Sequence, residues 1–96
     1  MLNDIKTSLR VTTNVFDVEI QDLIDAARVD LIQSGIFSEK ANDDTDPLIK
    51  RAITIYCKAN FGYDNPDADR FTHSYNMLKQ HLSLASDYNG DPYATL

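Results

Sequence analysis

Residues 46 to 85 constrain this chain more than any other stretch, because two proline-led apolar stripes of helical period follow one another across a glycine. The first opens with Asp46-Pro47, carries Leu48, Ile49, Ala52, Ile53 and Tyr56, and ends at Ala59-Asn60 before Gly62. Those spacings place the side chains on one helical face. The second opens with Asn65-Pro66 and carries Ala68, Phe71, Tyr75, Leu78 and Leu82. Proline is harmless in a first turn, whose backbone donors have no helical partner. With only a short turn between them, the two stripes predict a helical hairpin whose apolar faces are buried together.

The upstream half reads as two further helices. Asn3 is an acceptable cap for a short helix over residues 3 to 10, with Ile5 and Leu9 on one face, and Val11-Thr12-Thr13 is an extended link. Asn14 is the expected cap of a helix of about five turns, in which Asp17 takes the third helical position, favoured by the positive end of the dipole. Its buried stripe is Phe16, Ile20, Leu23, Ile24, Ala27 and Leu31, with Ile32 at its edge. The remaining surface, with Glu19, Gln21, Asp22, Asp25, Arg28 and Asp30, is mostly acidic. Gly35 supplies a stop, and Ile36 and Phe37 can fold back over the helix end. Ser38 to Thr45 reads as a solvated loop.

The expected fold class is therefore all-α: three principal helices plus a short N-terminal helix, with a C-terminal helical hairpin and an extended tail. Residues 1–85 form the helical domain and 86–96 an extended or partly ordered tail. In that tail Asn89-Gly90 and Pro92 break the helical pattern, while Tyr88, Tyr93 and Leu96 are more apolar than an indifferent terminus requires. Either these three form a protein interface and order against a neighbour, or the tail packs loosely on its own domain.

A chain of 96 residues is one domain with a modest core, and its single cysteine, Cys57, excludes an intramolecular disulfide and a cysteine-rich metal site. Fifteen acidic against nine basic residues give a formal charge of -6, which disfavours long-range attraction of nucleic acid. The opening MLNDIKTSL lacks the features of a secretory leader, and no stretch is apolar enough to span a bilayer, so a soluble protein made in the cytoplasm is expected.

No constellation supports catalysis or a cofactor. His73 and His81 are eight residues apart and lack the four-residue spacing of a compact metal pair. Asp43, Asp44 and Asp46 lack the glycine and closing glutamate of a calcium loop, and read as an acidic turn and a helix cap. Asp69, His73 and Ser74 share a helix, but His73 and Ser74 are sequence neighbours and point about 100° apart. No glycine-rich phosphate loop is present. Lys50, Arg51 and Lys58 make a small basic set that reads as ordinary solvation of a polar face or as a weak nucleic-acid contact.

The order of these signals resembles a family. The stretches LNDIKTSLRVTTNVFDVEIQDLIDAARVDLIQSGI and DPLIKRAITIYCKANFGYDNPDADRFTHSYNMLKQHLSLA are similar to the small all-helical head-to-tail connector proteins of tailed phages and prophages, also described as DNA-packaging or head-completion adaptors. The likeness runs over about residues 2 to 85.

The resemblance implies a non-enzymatic structural protein without cofactors. Many copies would form a homo-oligomeric ring below the portal protein, pass DNA without reading its sequence, and dock the next head-completion or tail protein. It implies a place in the host cytoplasm during assembly and then in the virion neck. Asp22, Asp25 and Asp30 are the candidate channel-facing residues, on charge alone. A regulatory adaptor binding a host or phage protein is the alternative function, and a DNA-binding regulator the third.

Overall fold

The computed structural model describes residues 1–62 and 64–90. Every regular element among them is helical: α1 (Leu2–Leu9), α2 (Asp17–Gln33), α3 (Ser38–Ala41), α4 (Pro47–Asn60), α5 (Ala68–Leu84) and α6 (Ser86–Asn89). The all-α class and the short N-terminal helix are present. α4 is the central element, packed against α2 on one side, α5 on another and α1 near its start.

The core follows from helical period. α2 buries Ile20, Ile24, Ala27 and Leu31, α4 buries Ile49, Ala52 and Ile53, and α5 contributes Tyr75 and Leu82. Leu23, Tyr56, Phe71 and Leu78 are half-buried around them. Two residues read as core lie outside it. Leu48 is 39% exposed because it precedes the fully buried Ile49, and adjacent positions on a helix point about 100° apart. Phe16 is 42% exposed. It sits before the first turn of α2, where the helical stripe has not begun, and lays its ring edge-on against Phe61 at 5.5 Å. In its place the fold buries Ile5, Ile36, Ala41, Ile55 and Cys57.

The start of α2 also differs from the sequence reading, and a buried lysine is the reason. The Lys6 Nζ donates to the side-chain oxygen of Asn14 at 2.8 Å and meets Asp17 Oδ1 at 2.8 Å. Asn14 is thereby taken up in tying α1 to the next helix, and no side-chain cap closes α2, which begins three residues later at Asp17. The other end behaves as a glycine stop. Gly35 lies at φ 111, its N–H reaches the Ile32 carbonyl and the Ile36 N–H the Leu31 carbonyl, so the chain turns back and buries Ile36.

Residues 38–45 are not a free loop. Ser38–Ala41 makes one helical turn that buries Ala41, and Arg28 of α2 holds it by donating to the Ala41 carbonyl at 3.3 Å and pairing with Asp44 at 2.7 Å. Pro66 likewise falls in a turn before α5 and not in its first turn. Asn65 closes that turn, accepting from the Asp67 N–H at 3.1 Å while its amide donates to the Lys58 carbonyl at 2.6 Å. After α5, residues 86–89 make a helical turn. The Phe37 N–H donates to the Tyr88 carbonyl at 2.9 Å, anchoring that turn to the α2–α3 connection.

Candidate functional site

The groups capable of chemistry are either held in local structural roles or scattered over the surface. Cys57 is fully buried on α4, and burial pushes its thiol up to about 12, far from the range in which a thiolate attacks or binds metal. A thiol reagent is expected to label Cys57 in the native protein at least about a hundredfold more slowly than in denaturant. Equal rates would show that the α4 face bearing Cys57 is open. His73 and His81 are both exposed, as are Asp69 and Ser74. Among the described residues no group of three or more histidines, cysteines or carboxylates could hold a metal ion.

The three carboxylates that precede α4 diverge. Asp43 accepts from the Thr45 hydroxyl and N–H, and those bonds hold its carboxyl below the usual range. Asp44 faces Arg28. Asp46 caps α4 through the N–H groups of Leu48 at 2.9 Å and Ile49 at 3.2 Å. Lys40 also reaches it at 3.4 Å, and the Tyr88 hydroxyl donates to it at 3.2 Å. Burial alone would raise the Asp46 carboxyl, but these donors outweigh it and hold it low. Tyr88, read as a candidate interface residue, is half-buried on its own domain with Lys40 over its ring at 5.3 Å. Tyr93 and Leu96 lie outside the described residues.

Asp30 does not join Asp22 and Asp25. It turns into the seam between α2 and α5, accepting from the Tyr75 hydroxyl at 2.6 Å and from Lys79 at 2.9 Å. Burial works against its charge, and the bonds from Tyr75 and Lys79 overcome it, so its carboxyl lies below the usual range. Tyr75, desolvated and hydrogen-bonded to that carboxylate, is pushed well above an ordinary phenol. With Tyr56, Thr72 and Asn76 these residues line an open cavity of about 230 Å³. It is a polar clasp between helices, since its one carboxylate and its ammonium already neutralise each other.

What remains unsatisfied is surface. Asp22 and Asp25 are exposed on the outer side of α2, with Gln21 donating to Asp25 at 3.0 Å. Val18 and Val29, spaced four residues beyond either carboxylate, extend the same stripe and are 76% and 52% exposed. Periodicity alone could have found this second stripe, but the acidic residues between the valines concealed it. Of the basic set, Lys50 pairs with Asp4 at 3.3 Å, whereas Arg51 and Lys58 line a groove between α4 and α5 with Arg70, Ile55 and Phe71. Arg70 reaches the groove from the other helix, and no sequence spacing connects it to Arg51.

Among the described residues these side chains converge on no reacting centre. A family model described as phage connector protein matches residues 1–89. Neither a curated protein nor a solved structure matches the chain.

Proposed function

Because the chain belongs to the phage connector protein family and is a structural head-completion protein, we propose that its copies form a ring below the portal protein. That ring continues the DNA path and presents a docking surface to the next head-completion or tail protein. The observation that carries this reading is the extent of the family match, which takes in all six helices of the described residues. DNA passes through such a ring without being read. The net charge of -6 supports passage over adhesion, because an acidic subunit does not retain a phosphate backbone. Among the described residues no helix is long and apolar enough to cross a membrane. The proposed sites are the host cytoplasm during assembly and the virion neck afterwards.

Mass analysis of the purified protein over a concentration series, alone and with its cognate portal complex, tests the reading. The expected result is several copies bound per portal ring. A competent portal that recruits none, together with a saturable one-to-one complex with some other protein, would replace the connector with a regulatory adaptor.

A further inference from the structure

The outer stripe of α2 and the α4–α5 groove are matched in character. The stripe presents two carboxylates, Asp22 and Asp25, between two exposed valines, Val18 and Val29. Neither carboxylate has a cationic partner within the described residues, and covering the face would also remove the two valines from water. The groove, of about 250 Å³, has an apolar floor of Ile55 and Phe71 and a cationic rim. Lys58 Nζ lies 5.8 Å from the centre of the Phe71 ring and the Arg70 guanidinium 5.1 Å from it, so two cations gather at one aromatic ring. Arg51 adds a third charge, seven residues before Lys58 and hence about 10 Å away along α4. A carboxylate pair within one helical turn fits between those two cations.

We infer that the outer face of α2 in one subunit docks into the α4–α5 groove of a second copy of this chain, and that this head-to-tail contact is the one repeated around the ring. The inference rests on the connector reading and assigns its subunit interface. Charge complementarity selects the occupant. Two α2 faces would bring four carboxylates together, and two grooves would bring six cations together, so a symmetric pair is disfavoured in both ways. The unlike pairing brings the Asp22 and Asp25 carboxylates to the cations of the groove, Arg51, Lys58 and Arg70. Among the described residues the exposed Arg70–Asp67 pair at 3.5 Å is the one intramolecular ion pair it has to share, and such pairs contribute little.

Topology supports the same direction. α2 packs on α4 through Ile20, Ile24, Ala27 and Leu31, which puts Val18, Asp22, Asp25 and Val29 on the side away from α4. On α4, Arg51 and Lys58 lie about half a turn around the helix from Ile49 and Ile53, which face the core. The two surfaces therefore occupy opposite flanks of the domain. A contact between opposite, unlike flanks propagates from copy to copy and closes into a ring when the rotation permits. Asp22 and Asp25 then sit between subunits and not on a channel rim.

Two charge-reversed proteins test this: Asp22→Arg with Asp25→Arg, and Arg51→Glu with Lys58→Glu. Neighbours held side by side on a template experience effective concentrations in the millimolar range, so the wild type is expected to self-associate by sedimentation up to about 1 mM subunit. Each reversed protein, folded by its circular dichroism melt, should associate at least about tenfold more weakly. An equimolar mixture of the two should regain the wild-type association, because every contact in an alternating array again joins opposite charges. A fold defect cannot be repaired by mixing, so recovery separates pairing from stability. A wild type that stays monomeric at the highest concentration, or a mixture that stays as weak as its components, overturns the assignment. Duplex DNA binding at low salt that is lost in Arg51→Glu/Lys58→Glu, with self-association unchanged in both reversed proteins, overturns it in favour of a nucleic-acid groove. Portal recruitment, measured separately, decides the connector reading whichever of these results is obtained.

Discussion

Replacing Ile53 by alanine is expected to remove about 2–5 kcal/mol of stability. Ile53 is fully buried on α4, the helix that α1, α2 and α5 all contact, and a close-packed interior relaxes only in part around a vacated volume. A loss of that size is a large fraction of the roughly 5–15 kcal/mol that holds a small domain together. For a chain of this length it should lower the melting temperature by at least about 8 °C. The urea midpoint should fall with the slope unchanged. Phe71→Ala, in a half-buried residue at the groove, should cost visibly less. Near-identical melts for Ile53→Ala and the wild type would show that α4 does not run through the core.

The second large effect is expected at Asp46, where one carboxylate serves three elements. Asp46→Ala removes the cap of α4, the partner of Lys40 on α3 and the acceptor of the Tyr88 hydroxyl on α6, and should cost about 2 kcal/mol. Tyr88→Phe removes only the last of these and should cost less. In a double-mutant cycle the two changes should be less than additive, because both delete the same bond. Strict additivity would mean that α6 is not held by Asp46.

The acid limb follows with a definite sign. Asp46 and Asp30 both have folded-state carboxyls held below the ordinary value of 3.8. Their contribution is therefore fully present above the unfolded value and is lost as the pH falls through it toward the lower folded values. Asp46→Ala should show a shallower loss of stability below pH 4 than the wild type, as measured by thermal melts across an acid series. An unchanged acid limb would show that the Asp46 carboxylate is solvated in the folded protein.

Much of the architecture was legible because helical period and helix punctuation are local. Ile20, Ile24, Ala27 and Leu31 declare a face by spacing, and the same face is buried. Asp46-Pro47 opens α4 and Gly35 ends the turn after α2 because a cap and a positive φ are properties of a few consecutive residues. The errors arose where a residue answered to a distant partner. Asn14 reads as a helix cap in isolation, yet Lys6 takes its side-chain oxygen. Asp30 reads like Asp22 and Asp25, yet Tyr75 and Lys79, more than forty residues away in sequence, draw it into a seam.

The candidate site divides along the same line. Arg51 and Lys58 are seven apart and can be placed on one side of a helix from sequence. Arg70 and Phe71 join them only through the packing of α5 on α4. Sequence by itself determined that the described residues are helical, roughly where the long helices run and most of the faces they bury, since all of these depend on periodicity and residue type. Tertiary structure alone decided which charges cancel within the domain and which remain for a neighbour. Electrostatic pairing depends on distance in space, and the helix crossings set those distances.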